Sequence, residues 1–296
     1  MSVTVARSLA EALDALARAP HAMVLAGGTD AMVEINFGHR RPHDVVSVDR
    51  VPELSGWQRD GTTLRIGAGV TYAALEAPPF SMLVPALAHA ARTVGSPQIR
   101  NAGTIGGNVA MASPAGDTLP VLAALDATIE LHRVDGVRIV PWHEFFVGPK
   151  KTTRQADELV VAVHVPVRRG PQAFLKVGTR NAMVIAVASV CLAVDLDDHT
   201  LRCALGAVGP VPLRAADAEA WVVDQLLWAD DTVRTRRPSA SREFGRRAGE
   251  AARPIDDHRG TAAFRRHAIV VCAQRALDRA CEGEQGPGGL LQSGKP

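Results

Sequence analysis

The sequence predicts an α+β protein whose two halves combine helices and strands differently. Up to about residue 170, short apolar strands alternate with helical segments, which is typical of an α/β arrangement. From about residue 158 onward, β-rich runs follow one another without a helix between them. Such consecutive strands favour an antiparallel sheet. Helical patterns return near the end of the chain, so we expect this sheet to be covered by helices.

The elements of the first half are marked by capping residues and by apolar periodicity. Ser8 and Glu11 have the spacing of a capping box. Leu9, Leu13 and Leu16 recur at helical spacing, which predicts an amphipathic helix over 9–18. The other predicted elements are strands at 23–26, 45–49, 63–69 and 128–133 and helices at 85–94 and 118–125.

The second half carries four predicted strands and two predicted helices. The strands are expected at 158–165, 173–177, 183–196 and 201–208, and the helices at 214–223 and 261–281. Between those helices, the polar and arginine-rich segment 229–258 is predicted to cross the surface. The Gly- and Gln-rich end, 284–296, is predicted to be a flexible tail.

Composition excludes several classes of protein. A formal net charge of +2 on 296 residues gives no electrostatic case for binding nucleic acid or an anionic membrane. The four cysteines form no C-x-x-C pair, so the sequence has neither a zinc motif nor an iron–sulfur motif. The amino terminus lacks the pattern of a signal peptide, and no apolar run reaches the ~20 residues of a membrane span. We therefore expect a cytoplasmic protein.

Two glycine-rich turns are the strongest candidates for a binding site. The first is Leu25-Ala26-Gly27-Gly28-Thr29-Asp30, directly after a predicted strand, and the second is Thr104-Ile105-Gly106-Gly107-Asn108. Glycines allow backbone N–H groups to converge without Cβ atoms in the way, and such a row of donors binds phosphate oxygens. Two turns of this kind suit the two halves of a pyrophosphate. Asp117, further along, is of the residue type that accepts hydrogen bonds from ribose hydroxyls in dinucleotide folds.

Each turn also has a purely structural interpretation, because a single Gly-Gly pair after a strand is often only a tight turn. Neither turn has the G-x-G-x-x-G pattern of a Rossmann fold or the G-x-x-x-x-G-K-[ST] pattern of a P-loop. The sequence therefore disfavours a plain nicotinamide dehydrogenase and a nucleoside triphosphatase.

Longer stretches around both turns resemble a known family. AGGTDAM at 26–32 and VGSPQIRNAGTIGGNVAMASPAGDTLPVLAALDA at 94–127 resemble the FAD-binding medium subunit of the molybdenum hydroxylases. This family includes xanthine, carbon monoxide and nicotine dehydrogenases. Similar stretches occur further on: FLKVGTR at 174–180, AMVIAVASVCLAV at 182–194 and DHRGTAAFRR at 257–266. The resemblance covers nearly the whole chain except its last dozen or so residues.

The resemblance implies a fold and its boundaries. It implies a two-part FAD-binding domain of the vanillyl-alcohol oxidase and molybdopterin dehydrogenase type (the PCMH type) over 1–170. The two subdomains are expected at about 1–56 and 57–170. A C-terminal α+β domain of the CO dehydrogenase flavoprotein type is expected over 171–283.

The resemblance also implies roles for individual residues. The two turns would wrap the FAD pyrophosphate with their backbone amides, and Asp117 would lie near the adenosine ribose and the diphosphate. Lys176 matches a position close to the flavin, where its charge suits a reduced, anionic ring; a solvated strand lysine is the alternative. Val160 matches an apolar position that packs near the isoalloxazine. No histidine has a context that suggests covalent attachment, so FAD is expected to be bound noncovalently.

The implied function is electron transfer within a larger complex. Substrate would be oxidised at a molybdopterin centre in a large subunit, and electrons would reach FAD through two [2Fe–2S] clusters in a small subunit. FAD would then pass them to oxygen, NAD, a quinone or another acceptor. The complex would be a heterotrimer or a dimer of heterotrimers, and this chain would contain no metal and no substrate-oxidising residue.

Two other functions stay open at the level of the sequence. A self-sufficient flavin-dependent oxidase or reductase would need its own substrate pocket with a proton donor or base near the flavin, and Tyr72 is the chain's single tyrosine. A nucleotide-binding scaffold without enzymatic activity would bind adenine nucleotides and would lack flavin colour.

Overall fold

The computed structural model describes residues 2–282, and the predicted tail lies outside the described residues. The N-terminal segment, residues 2–56, has a parallel sheet of three strands in the order β1-β3-β2. Its elements are β1 (Ser2–Val5), α1 (Leu9–Arg18), β2 (Met23–Leu25), α2 (Ala31–Asn36), β3 (Asp44–Ser47) and a 3₁₀ turn (Pro52–Leu54).

Helix α1 confirms the prediction for 9–18. The Ser8 hydroxyl accepts a hydrogen bond from the Glu11 N–H at 3.2 Å, and the Glu11 carboxylate accepts one from the Arg7 N–H at 2.7 Å. These bonds satisfy N–H groups that have no partner inside the helix. The apolar face of the helix buries Leu13 and Leu16 in the core.

The middle segment, residues 57–170, has an antiparallel sheet of five strands in the order β4-β5-β10-β6-β7. Its strands are β4 (Trp57–Asp60), β5 (Thr63–Gly67), β6 (Thr128–Arg133), β7 (Gly136–Pro141), β8 (Phe146–Gly148), β9 (Lys151–Thr152) and β10 (Leu159–Pro166). Its helices are α3 (Tyr72–Leu75), α4 (Phe80–Leu83), α5 (Pro85–Arg92), α6 (Pro97–Ala102), α7 (Ile105–Met111), α8 (Leu119–Ala124) and α9 (Trp142–Phe145). Strands β8 and β9 form a separate hairpin.

The C-terminal segment, residues 171–282, confirms the predicted antiparallel sheet and its helical cover. Four strands pair in the order β11-β12-β13-β14, and a second hairpin pairs β15 with β16. The strands are β11 (Gln172–Val177), β12 (Ala188–Asp195), β13 (Thr200–Gly206), β14 (Leu213–Arg214), β15 (Leu226–Trp228) and β16 (Val233–Thr235). The helices are α10 (Ala216–Val223), α11 (Ala240–Ala251) and α12 (Ala262–Glu282).

The predicted strand over 183–196 begins later than expected, at Ala188. The preceding residues form a loop in which the Arg180 guanidinium donates hydrogen bonds to the carbonyl oxygens of Ala182 and Met183. Met183 has a φ of 50°, which a strand cannot accommodate. Hydrogen bonds from Arg180 therefore hold these residues in a loop, where the sequence predicts the start of the strand.

The segment 229–258, predicted to cross the surface, contains β16 and the 12-residue helix α11, one face of which is buried. Helix α11 buries Phe244 and two alanines, and it approaches α12 through two glycines. A Cβ atom at Gly245 would lie 2.4 Å from the Val270 carbonyl oxygen, and one at Gly249 would lie 2.5 Å from the Val270 side chain. Small residues at these two positions therefore allow the two helices to approach closely.

Two apolar cores stabilise the chain. One contains side chains from the N-terminal and middle segments, and the other lies between the C-terminal sheet and helices α10 to α12. Helix α8 packs against β12 and β13, and α5 packs against β11, so the middle segment is joined to the C-terminal sheet. In the described part of the chain, no helix has the length and apolar character needed to cross a membrane.

Candidate cofactor site

A large cleft lies between the N-terminal and middle segments. Its volume is about 1050 Å³, slightly above the roughly 300–1,000 Å³ range of ligand pockets. Ten of the fourteen residues predicted to bind FAD line it: Ala26, Gly27, Gly28, Thr29, Asp30, Thr104, Gly106, Gly107, Asn108 and Val160. Both glycine turns therefore reach one cleft that is large enough for an extended ligand.

The first turn connects β2 to α2 and needs both of its glycines. A Cβ atom at Gly27 would lie 1.7 Å from the Ala102 carbonyl oxygen, so the turn lies directly against the backbone that leads into the second turn. Gly28 has a φ of +72°, in the region where glycine is favoured. Asp30 follows at the start of α2, and enclosure by the cleft raises its pKa, opposed by Lys150 and assisted by Glu34.

The second turn is not an open loop but the first turn of helix α7. Thr104 caps this helix by accepting a hydrogen bond from the Gly107 N–H at 3.0 Å. Gly106 packs against Ala68, whose carbonyl oxygen would lie 2.7 Å from a Cβ atom at Gly106. At Gly107, by contrast, a Cβ atom would meet only the Thr104 hydroxyl, at 3.2 Å. Gly106 is thus required by packing, while Gly107 faces the cleft.

The two turns differ in whether the chain already uses their amides. Within residues 2–282, the N–H groups of Gly27, Gly28, Thr29 and Asp30 have no protein acceptor. The four amides from Ile105 to Asn108 all have one. Their acceptors, in order, are the carbonyl oxygens of Val70 and Ala68, the Thr104 hydroxyl and the Thr104 carbonyl oxygen, at 3.0, 2.9, 3.0 and 3.1 Å. The sequence predicts that both turns donate backbone amides to the pyrophosphate. In the structure, the amides without an acceptor belong to the first turn.

The second turn presents side-chain groups to the cleft, and not free backbone amides. The side-chain oxygen Oδ1 of Asn108 accepts a hydrogen bond from the Thr118 hydroxyl at 2.5 Å, which fixes the orientation of the side-chain amide. Its nitrogen lies beside Gly116, at 2.9 Å from where a Cβ atom would be, and has no acceptor in the described part of the chain. Asn108 is therefore a candidate side-chain donor. Val160 adds an apolar wall from β10, next to a bulge in the pairing with β6.

Asp117 and Lys176 do not line the cleft. They form an ion pair of 2.5 Å, with side chains only 6% and 7% exposed, between the middle segment and strand β11. Thr93 completes the cluster: its hydroxyl donates to Asp117 at 3.2 Å, and its carbonyl oxygen accepts from Lys176 at 3.0 Å. Burial raises the pKa of Asp117 to about 6, although Lys176 and Thr93 oppose the shift. One carboxylate oxygen, Oδ1, is buried without a hydrogen-bond partner among the described residues.

The pair lies behind the wall of the cleft, near Tyr72. Burial raises the pKa of Tyr72 well above its ordinary value, and the charges of Asp30 and Asp117 raise it further. Tyr72 lines the cleft, and its ring packs where a side chain at Gly103 would be. Two further residues of the predicted set, Leu25 and Ile105, are not in the lining either; Ile105 is fully buried in the core.

Sequence reasoning missed a group of polar residues around the cleft. They lie on α2, on α6, on the β8–β9 hairpin and in short connections: Glu34, Arg40, Asp49, Ser55, Asn101, Lys150, Lys151, Arg154 and Glu158. The Gly-Pro-Lys-Lys sequence at 148–151, after an apolar strand, was an available signal for a turn that carries positive charge. The other residues come from separate parts of the chain, and tertiary structure is needed to bring them together.

Comparison with known proteins defines the class. Residues 1–168 match the family described as FAD binding domain in molybdopterin dehydrogenase, and residues 173–280 match the CO dehydrogenase flavoprotein C-terminal domain. The chain therefore belongs to the family of FAD-binding medium subunits of the molybdenum hydroxylases, and it is a flavoprotein of the oxidoreductase class.

Individual relatives agree with this assignment. The glyceraldehyde dehydrogenase medium chain of Sulfolobus acidocaldarius is 34% identical over 276 residues, which is 92% of this chain and 95% of the relative. The putative xanthine dehydrogenase FAD-binding subunit XdhB of Escherichia coli K12 is 35% identical over 223 residues, 72% of this chain and 76% of the relative. A carbon monoxide dehydrogenase structure from Hydrogenophaga pseudoflava superposes with a TM-score of 0.84 at 29% identity, covering 95% of this chain and 96% of that chain.

Proposed function

We propose that this chain is the electron-transfer subunit of a heteromeric molybdenum hydroxylase. It takes electrons from [2Fe–2S] clusters of a small partner subunit and passes them to an external acceptor. A large partner subunit with molybdopterin oxidises the substrate. The observation that carries the proposal is the cleft itself, whose first turn offers four amides that have no acceptor within residues 2–282.

The residues of the cleft fit a dinucleotide cofactor. The amides of Gly27 to Asp30 would donate to the diphosphate, because converging backbone donors suit phosphate oxygens. The Asn108 side chain would add a donor from the opposite side, and Gly107 would allow close approach of the ligand. Val160 would pack against the apolar ring system. FAD, when bound, supplies the redox chemistry, while these residues hold and orient it.

Asp117 and Lys176 have a supporting role in this proposal. Their ion pair connects the wall behind Tyr72 to strand β11 and so fixes the middle segment against the C-terminal sheet. The proposal keeps the predicted boundaries of 1–170 and 171–283 for the two domains. The cytoplasmic location stays a prediction.

The test uses the purified chain, alone and with its partner subunits. Acid precipitation should release a yellow chromophore into the supernatant, and chromatography should identify it as FAD. The flavin of the isolated chain should be reduced by dithionite but not by aromatic heterocycles, aldehydes or carbon monoxide. Addition of both partner subunits should restore bleaching by the substrate of the complex.

Three results would count against the proposal. Colour that stays with the precipitated protein would indicate covalent attachment. FMN in the supernatant would remove the diphosphate argument. Turnover of an organic substrate by the isolated chain would favour the self-sufficient flavoenzyme.

A further inference from the structure

Two oppositely charged side chains in the lining of the cleft contact each other. Glu34 lies on α2 of the N-terminal segment and Lys150 on the β8–β9 hairpin of the middle segment, and both line the cleft. The Lys150 ammonium group lies 2.8 Å from the Glu34 carboxylate, and the two residues are 116 positions apart in sequence. The contact therefore joins the two walls between which the ligand would lie.

The two residues are held in different ways. The Lys150 N–H donates to the Ala112 carbonyl oxygen at 3.0 Å, so the tip of the hairpin is fixed to the end of α7. Helix α2, by contrast, has no buried residue, and Met32, Val33 and Phe37 on or next to it are 44%, 50% and 73% exposed. An element with so little buried apolar surface opens at low free-energy cost. The ion pair thus ties a weakly packed helix to a fixed hairpin.

The backbone at Lys150 is also unusual. Its φ of 55° lies in the left-handed region, which non-glycine residues other than Asn, Asp and His seldom adopt. A glycine would adopt this conformation without strain. Ala112 and Ala207 share this conformation, so the φ angle alone assigns no role; at Lys150 the contact with Glu34 supplies one.

We propose that Glu34 and Lys150 form a latch across the cleft that slows the dissociation of FAD. The inference rests on the proposed binding of FAD in this cleft. Lys150 acts as a positioning residue in this account: it holds α2 closed through Glu34 and does not bind the phosphates itself.

The experiment measures the FAD dissociation rate of the holoprotein after mixing with an excess of an FAD-scavenging apoflavoprotein. Lys150→Gly removes the side chain and relieves the backbone, and Glu34→Gln removes the opposite charge. Each should accelerate dissociation about two- to five-fold, the range expected for a partly exposed ion pair, with little change in the association rate. The exchanged pair, Glu34→Lys with Lys150→Glu, should restore a slow rate. Arg133→Gln breaks an exposed pair with Asp135 outside the cleft lining and should have no effect.

The Glu34→Gln variant distinguishes the latch from the main alternative, in which Lys150 binds the FAD phosphates directly. If Lys150 bound the FAD phosphates directly, removing the competing carboxylate would slow FAD release or leave it unchanged, and that result would overturn the latch. Failure of the exchanged pair to restore the wild-type rate would also overturn it. Thermal melting of the apoproteins checks that the variants fold. If the wild-type protein holds FAD and all variants release it at the wild-type rate, only the latch is refuted. If the wild-type protein binds no FAD, the proposed function is refuted.

Discussion

The two glycine-rich turns look alike in sequence but differ in what their backbone does. Gly27 and Gly106 both lie so close to another stretch of backbone that a Cβ atom would overlap it. The amides of the first turn have no acceptor in residues 2–282, whereas those of the second complete the start of a helix. The comparison teaches that a Gly-Gly pair after a strand does not by itself identify a phosphate site. The partners of each buried amide have to be accounted for first.

The largest expected effect is on stability, and it concerns the ion pair between Asp117 and Lys176. The sequence predicts both residues in the FAD site, but neither lines the cleft. Lys176→Met would leave the buried Asp117 carboxylate without its cation, which should lower the free energy of unfolding by about 3–5 kcal/mol. Urea unfolding measures the change. Since Lys176 does not line the cleft, the folded variant should still bind one FAD. A variant as stable as wild type that loses FAD would place Lys176 in the binding site instead.

The pH dependence of stability provides a control for that prediction. Because the pKa of Asp117 is raised to about 6 in the folded protein, the native state binds more protons than the unfolded state between about pH 4 and pH 6. The contribution of this carboxyl group to stability is therefore present below that window and is lost as the pH rises through it. Relative to Asp117→Asn, the wild type should lose stability from pH 4 to pH 6. The opposite slope would mean that the ion pair lowers the pKa of Asp117.

The same substitution in the two turns should give very different results. Gly27→Ala would bring a methyl group to 1.7 Å from the Ala102 carbonyl oxygen, so we expect a loss of about 3 kcal/mol in stability. Gly107→Ala meets only the Thr104 hydroxyl at 3.2 Å and replaces a helical glycine, so its stability should change by less than about 1 kcal/mol. Thermal melting of both apoproteins makes the comparison. Equal destabilisation would contradict the packing described for the two turns.

A larger side chain at Gly107 should affect the ligand more than the fold. Gly107→Val projects a branched side chain toward the cleft, so FAD affinity should fall at least tenfold, about 1.4 kcal/mol, by fluorescence titration. No described residue of the C-terminal segment lines the cleft, so we expect this segment to stay folded in the variant. Unchanged affinity would remove the second turn from the binding site.

Much of the fold could be predicted because its signals are local. The capping box at Ser8 and Glu11 and the apolar strands of the C-terminal sheet depend on residues near each other in sequence. Helix α11 was missed because the segment was read from its polar, arginine-rich composition, although its buried residues recur at helical spacing at 240–241, 244–245 and 248–249. Strand pairing in the middle segment is antiparallel, which the alternation of helices and strands did not indicate.

The site could be predicted only in part, for a related reason. The position of both turns at one cleft was anticipated, and ten of the fourteen predicted residues line it. Whether an amide is free depends on acceptors such as the carbonyl oxygens of Ala68 and Val70, more than thirty residues before the second turn. The charged residues on α2 and the β8–β9 hairpin likewise meet only in the folded chain.

Hydrogen exchange of the two turns, with and without FAD, tests the central claim most directly. The amides of Gly27 to Asp30 should exchange rapidly in the apoprotein, because they have no acceptor, and should become strongly protected when FAD binds. The amides of Ile105 to Asn108 should be protected in both states, since each already donates a hydrogen bond within the chain. Protection that appears on FAD binding only at Ile105 to Asn108, with the first turn unchanged, would contradict the account.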